Sequence, residues 1–372
     1  AGFFGETARP PRLNSAPPAY NDLQVAIFRG PLYNELLFGK ITLKMELFQP
    51  SRRGRGLWKD EEMSMETRNI RDYLRPGKRA HLVGIGGVSM ASLAEVLHGA
   101  GVAVTGSDQR ESATVLHLRK LGIEVVIGHL PESVQGADCV VRTAAVHDCN
   151  PEIAAALKGG IPVFERAQAW GAIMQGYKNA LCISGTHGKT TTTSMCTHIF
   201  MAAQADPTVM IGGTLPLLEA CHRVGHGDTI ILESCEYCNS FLSFYPTVAV
   251  ILNVEADHLD FFKDLEDVER SFRKFADRVP ENGLIVANCE DENTMTTLKG
   301  ETRPVMTFGI EKGDVHAEGL SMDHGFGSFD VIYQGEKYAH LDLSVPGTHN
   351  VKNAIAAAAA AIALGVPGKA AE

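Results

Sequence analysis

Ala180-Leu181-Cys182-Ile183-Ser184-Gly185-Thr186-His187-Gly188-Lys189-Thr190-Thr191-Thr192-Thr193 is the stretch from which the fold can be read. It predicts a short apolar strand, a glycine turn and a helix that opens on a lysine and a run of hydroxyls. Glycines let a backbone close around an anion, and the first N–H groups of a helix point at it. Gly185, Thr186, His187, Gly188, Lys189, Thr190 and Thr191 are the expected cradle for nucleotide phosphates. Lys189 has the reach for the outer phosphates, and Thr190 is placed to hold a magnesium ion. Ile183 stands where the usual phosphate loop has its first glycine, so the loop is a shortened variant. The bland alternative is an ordinary glycine-rich turn.

Working outward, two more strands are expected to end in groups able to bind a metal. The segment 228–233 is apolar and finishes on Glu233. The segment 245–252 runs into Asn253-Val254-Glu255-Ala256-Asp257-His258-Leu259-Asp260. Magnesium prefers hard oxygen ligands and keeps waters. Thr190 and Glu233 are therefore candidate metal oxygens beside the nucleotide, and His258, a softer ligand, could complete a second magnesium site. Lys189, Glu233, Glu236 and His258 are catalytic candidates, with Glu236 in contact with substrate. His258 alone could equally be structural; the adjacent Asp257 and Asp260 favour function. Cys235-Glu236-Tyr237-Cys238 has redox or zinc spacing but no second cysteine pair. Buried, unreactive thiols are expected there. Asn350 opens the last helix, 351–363, and is a candidate for reading an adenine edge.

The segment 76–177 alternates short apolar strands with helices, which argues for a parallel sheet covered on both faces. Gly84, Gly86 and Gly87 make a glycine turn after its first strand, and Asp108 lies 22 residues after Gly86. That distance suits a sugar hydroxyl contact. Taken alone, this pattern suggests NAD or FAD, or only a turn that packing requires. The expected organisation is α/β throughout: 76–177 as a Rossmann-like domain and 178–372 as the phosphate-loop domain. Residues 1–75 do not match the rest. A strand is conceivable at 37–47, and Ser51-Arg52-Arg53-Gly54-Arg55-Gly56 is basic and glycine-rich. A leader of unknown role is expected, disordered or an artefact of where translation was called, with Met63 or Met65 as plausible natural starts; a short basic arm for a partner is the alternative.

Bulk composition narrows the classes. The chain has 372 residues, with 34 basic and 44 acidic side chains for a formal charge of -10. That balance argues against a large nucleic-acid surface. No apolar run reaches the length of a membrane span, and no signal-peptide pattern opens the chain. Eight cysteines in this length fit reduced thiols and a cytoplasmic setting. No nucleic-acid or membrane partner is expected.

In order, the motifs 84–90, Gly106-Ser107-Asp108, Gly185-Thr186-His187-Gly188-Lys189-Thr190, Glu233 with Glu236, 255–260 and Gly347-Thr348-His349-Asn350 with Asn353 resemble the Mur ligase family of peptidoglycan synthesis. The resemblance runs from about Lys78 to Lys369 and replaces the dinucleotide reading. It implies that Gly84, Gly86, Gly87, Ser89, Ser107, Asp108 and Thr143 bind a UDP sugar, with ATP and Mg2+ at the phosphate loop. The implied reaction joins L-alanine to the lactyl carboxylate of UDP-N-acetylmuramate through an acyl phosphate. Arg273 stands where later members of the pathway carry a carbamylated lysine, which supports the first step. A third domain is expected after the alanine-rich helix, so the chain reads as a fragment with impaired ligation and weak ATP binding. The oligomeric expectation is a monomer or weak homodimer. The alternatives are a relative that attaches a tripeptide to recycled UDP-N-acetylmuramate, and an inactive nucleotide-binding relative.

Overall fold

The computed structural model describes residues 69–143 and 145–372. The strand at 37–47, the basic run at 51–56, Met63 and Met65 fall outside the described residues, as does Ala144. The described end of the expected leader is packed: Ile70, Tyr73 and Leu74 lie against the first core.

Two sheets organise the chain. In the first, β1 (Arg79–Val83), β2 (Ala103–Asp108), β3 (Glu124–Ile127), β4 (Cys139–Arg142) and β5 (Val163–Glu165) run in the order β3-β2-β1-β4-β5. Every pairing is parallel. Parallel strands need crossovers, which α1 (Val88–Gly99), α2 (Ala113–Lys120) and α3 (Pro151–Lys158) supply. α4 (Arg166–Met174), which the sequence reading did not single out, follows β5 directly.

The second sheet has ten strands, in the order β15-β14-β13-β12-β11-β10-β6-β9-β7-β8. β6 (Asn179–Ser184) lies between β9 (Thr229–Glu233) and β10 (Val248–Ile251), parallel to both. Its side chains are buried from Ala180 to Ser184, as expected for a strand covered on both faces. β10 is shorter than expected, with Tyr245 exposed before it. β7 (Thr208–Leu215) runs on through Gly212 and Gly213 and pairs antiparallel with β8 (Ala220–Arg223). β11 (Leu284–Asn288) and β12 (Val305–Phe308) extend the parallel part. Between them lies a short helix, α7 (Glu292–Thr297). Beyond 303, β13 (Val315–Asp323), β14 (Phe326–Tyr333) and β15 (Glu336–Pro346) form an antiparallel meander of nine, eight and eleven residues.

Local chemistry explains the helices around the loop. α5 (Lys189–Ala202) follows Gly188, whose φ of 84° suits glycine, and no side chain caps it. Its first N–H groups are thus left for a ligand. Threonines are poor helix formers, but Thr193 and Thr197 turn their hydroxyls back onto Lys189 and Thr193 carbonyls at 2.8 Å. α6 (Leu265–Ala276) is capped by Asp264 and buries Phe272 and Phe275. Among the described residues no helix is long and apolar enough to cross a membrane.

α8 (Thr348–Ala363) is the central support. Residues 356–361 are all alanine and all 0% exposed, packed against α5 and the face of the sheet. Buriedness all round requires a helix of small side chains when neighbours are this close. A larger residue has no room to enter. Ala358→Leu is expected to cost about 1–3 kcal/mol of stability, read as a lower urea midpoint with unchanged slope.

Candidate active site

The phosphate loop is strapped to the end of β10. Asn253 accepts from the His187 N–H at 2.7 Å and donates to the His187 carbonyl at 3.1 Å. Thr186 receives the Glu255 N–H at 2.9 Å, and the Thr186 N–H donates to the Asn253 carbonyl at 3.0 Å. Two turns are thereby fixed as one rim. Gly185 lies so close to Leu252 that an added Cβ would stand 2.8 Å from the Leu252 Cβ.

Lys189 curls back into the loop. Its Nζ donates to the carbonyls of Gly185 at 2.5 Å and Thr186 at 3.0 Å, and to Glu236 Oε2 at 2.9 Å. Glu236 is only 1% exposed, and Lys189 is its ion-pair partner. His258 Nε2 is 3.7 Å from the other oxygen of the same carboxylate. His258 holds a left-handed φ of 52°, strained for a side chain of its size. Asp257 accepts from its N–H at 2.7 Å, and its ring lies 4.8 Å from that of Tyr237. Tyr237 in turn donates to Asp260 at 2.9 Å. Beneath them Phe241 stacks on Phe275 with centroids 4.5 Å apart, worth about 1 kcal/mol beyond the area buried.

On the other side of the loop, Thr190 donates to Glu233 Oε1 at 2.9 Å, and the Gly212 N–H fixes Glu233 Oε2 at 2.6 Å. Thr190 and Glu233 thus offer adjacent hard oxygens of the kind magnesium takes, with water filling the remaining positions. His258, the candidate for a second magnesium site, stands apart from that pair and beside Glu236. Among the described residues no three His, Cys, Asp or Glu side chains gather as a metal cage.

The glycine turn of the first sheet faces this region across a cavity of about 320 Å3. Its lining includes Gly84, Gly87, Ser89 and Thr143 from one sheet, and Gly212 and Glu233 from the other. Gly86 lies behind the turn, where its N–H donates to Asp108 Oδ2 at 2.8 Å. One oxygen of Asp108 is therefore occupied in shaping the turn. Ser107 is not brought to the cavity: it is 0% exposed and donates to Glu152 at 2.5 Å. Glu152 is equally buried and also meets His81 at 3.3 Å and His129 at 2.8 Å. Burial would raise its carboxyl, but hydrogen bonds from His81, Ser107 and His129 hold it below the ordinary value.

Other expectations need correction or completion. Cys235 and Cys238 are exposed rather than buried, because the chain turns through left-handed Cys238 and Asn239 at the rim. Desolvation of the sulfur and the Glu236 charge raise the Cys235 thiol, which keeps it protonated. Asn350 already donates to the Pro346 carbonyl at 2.7 Å and accepts from Asn353 at 3.0 Å, so both ends of its amide are engaged within the protein. It adjoins the loop through Asn353, whose Oδ1 lies 2.5 Å from where a Gly188 Cβ would stand. Arg273 points away, toward Asp277 and Glu301. Sequence reasoning assigned no role to Asn253 and missed Arg166 altogether. Arg166 lines the cavity from the start of α4 beside Cys235, with no hydrogen bond or ion pair among the described residues. Its only sequence signal is a cation directly after a strand.

A phosphate loop on a central parallel strand, facing a glycine turn on a second sheet, defines the class: a two-sheet phosphate-loop α/β protein. The chain matches the Mur ligase family, catalytic domain, over residues 79–178 and the Mur ligase middle domain over 183–361. It is 45% identical over 290 residues to the UDP-N-acetylmuramate–L-alanine ligase of Clostridium novyi, covering 78% of this chain and 63% of that protein. The same ligase of Caldanaerobacter subterraneus is 46% identical over 291 residues, with the same coverage. Among solved structures, the UDP-N-acetylmuramate:L-alanyl-gamma-D-glutamyl-meso-diaminopimelate ligase of Neisseria meningitides is 30% identical, with a TM-score of 0.72 over 79% of this chain and 96% of that one. The UDP-N-acetylmuramate-alanine ligase of Thermotoga maritima is 33% identical, with a TM-score of 0.66 over 77% and 65%. The chain belongs to the Mur ligase family. It spans less than two thirds of the length of those two curated relatives.

The Lys189–Glu236 pair makes a direct forecast. Lys189→Met strands a carboxylate that is 1% exposed and is expected to cost about 3 kcal/mol in urea unfolding. Adding Glu236→Gln should restore a large part of that loss.

Proposed function

We propose that this chain carries the nucleotide and sugar-nucleotide sites of an ATP-dependent ligase that joins L-alanine to UDP-N-acetylmuramate in peptidoglycan synthesis. One observation carries the reading: the glycine turn, Arg166 and Glu233 share one cavity, so an anionic ligand on the first sheet reaches toward the phosphate loop on the second. The names of the curated relatives support the choice of L-alanine. All eight cysteines are free thiols, which supports a reducing, cytoplasmic setting.

In this reading the lactyl carboxylate attacks the γ-phosphorus of ATP, ADP leaves, and the amine then displaces phosphate from the acyl carbon. Both steps move negative charge, so positioning and neutralisation carry the catalysis. Lys189 exchanges its carbonyl and Glu236 partners for phosphoryl oxygens. Arg166 meets the anionic part of the sugar nucleotide. Thr190 and Glu233 would hold magnesium, which supplies charge neutralisation at the phosphates. Glu236 holds Lys189 near the loop until the phosphates arrive, and stands 3.7 Å from His258 Nε2. Carbamylated-lysine chemistry has no counterpart here, since Arg273 is tied to Asp277 and Glu301.

Calorimetric titration tests the reading. UDP-N-acetylmuramate is expected to bind saturably and NAD not at all. Arg166→Gln should weaken the sugar nucleotide at least about tenfold, the size of a lost charged hydrogen bond, and leave ATP affinity within about twofold. NAD binding, or an unchanged sugar-nucleotide affinity in the variant, refutes it.

A further inference from the structure

The two sheets meet along one side of α1. Ser89, Ser92 and Glu95, three residues apart, share a helix face and touch the β7–β8 hairpin. Ser89 Oγ is 3.1 Å from the Met210 sulfur, Ser92 Oγ is 3.9 Å from the Cys221 sulfur, and Glu95 Oε2 is 3.1 Å from His222 Nε2. Cys221 Sγ lies 3.7 Å from His222 Nδ1. Glu95 is held from its other side by His117 Nε2 of α2 at 3.2 Å. Facing the thiol and its histidine are therefore Ser92 and Glu95 of α1 and, through Glu95, His117. Cysteine, histidine and carboxylate stand in sequence, the arrangement that activates a sulfur nucleophile. Ser89 and Met210 also line the cavity already described; Ser92, Glu95, His117, Cys221 and His222 belong to neither it, the phosphate loop nor the metal pair.

We propose that Cys221 is a thiol-modification site built into the joint between the two sheets, taking a low-molecular-weight disulfide. The Cys221 proton passes to His222, whose charge Glu95 stabilises. The thiolate attacks one sulfur of the incoming disulfide, the old S–S bond breaks, and the departing half leaves as a thiolate. That thiolate takes up one proton through solvent. Cys221 is oxidised to a mixed disulfide, and the departing half is reduced. Burial opposes charge on His222, but hydrogen bonds to Cys221 and Glu95 push it up to about 9. The His222 hydrogen bond in turn lowers the Cys221 thiol against the effect of burial. The sulfur is half-buried against Ser92, so an adduct lodges between α1 and β8 and parts the sheets. Unlike the exposed thiols of Cys149 and Cys238, Cys221 thus couples thiol chemistry to the shape of the joint.

The test uses the whole chain and reads peptides by mass spectrometry. At pH 7, iodoacetamide is expected to label Cys221 at least about threefold faster than exposed Cys149, with the rate midpoint below the usual thiol value of about 8.5. His222→Gln should abolish that advantage, and Glu95→Gln should reduce it. Glutathione disulfide should form a mixed disulfide at Cys221 that raises the radius of gyration in small-angle scattering, reversed by dithiothreitol. Labelling no faster than Cys149, a ratio unchanged in His222→Gln, or an adduct that leaves the scattering unchanged overturns the proposal. Should His222→Gln fail to fold, the wild-type midpoint decides: a value at or above about 8.5 refutes it. None of these readouts depends on which substrate the neighbouring cavity takes.

Discussion

The parallel pairing of β6 with β9 on one side and β10 on the other is the constraint from which the candidate site follows. Its register sets Ile183 beside Glu233 and Ser184 beside Ile251. One step beyond those pairs, all three strands release their chains at the same edge. The loop, Glu233 and the Asn253–Asp260 turn therefore emerge together, although up to about 70 residues separate them in sequence. Slipping a strand by one position would turn its side chains to the opposite face. The site would then lose either its acid or its clamp.

What could be read from the sequence was local. Strand, glycine turn and helix at 180–202 announce themselves through composition over a short window, and the parallel first sheet follows from the alternation of elements. Glu233 and His258 were visible because they end apolar runs. What could not be read depends on partners from elsewhere. Ser107 has the same sequence look as its neighbours, yet Glu152 draws it inward. Asn350 has a free amide on paper, and Pro346 and Asn353 occupy it in the fold. Arg166 is conspicuous only because no hydrogen bond or ion pair among the described residues takes it, and the lack of a partner is a tertiary property. The positive φ at Cys238 and Asn239 brings two expected core thiols to the rim, and no propensity scale flags that.

The support behind the site is divided between two kinds of packing. On one side α8 presents alanines that let α5 approach closely, so the loop helix has little room to tilt. On the other, Phe241, Phe272 and Phe275 fill the space beneath the turn that bears Glu236. Dense interiors resist small displacements. The charged groups at the rim are therefore held by their backbone mounts more than by one another, with the Lys189–Glu236 pair as the exception.

That exception sets an entry threshold. The ammonium group of Lys189 has three protons, and Gly185, Thr186 and Glu236 already take them. A visiting anion does not find a vacant cation; it must outbid two carbonyls and a carboxylate. Chloride or a lone carboxylate offers little more than the partners it would displace. A polyphosphate chain brings several charges and many acceptors at once, and can recruit the idle N–H groups of α5 in the same move. In the proposed reading the loop therefore discriminates by charge density, against the small anions that crowd any solution.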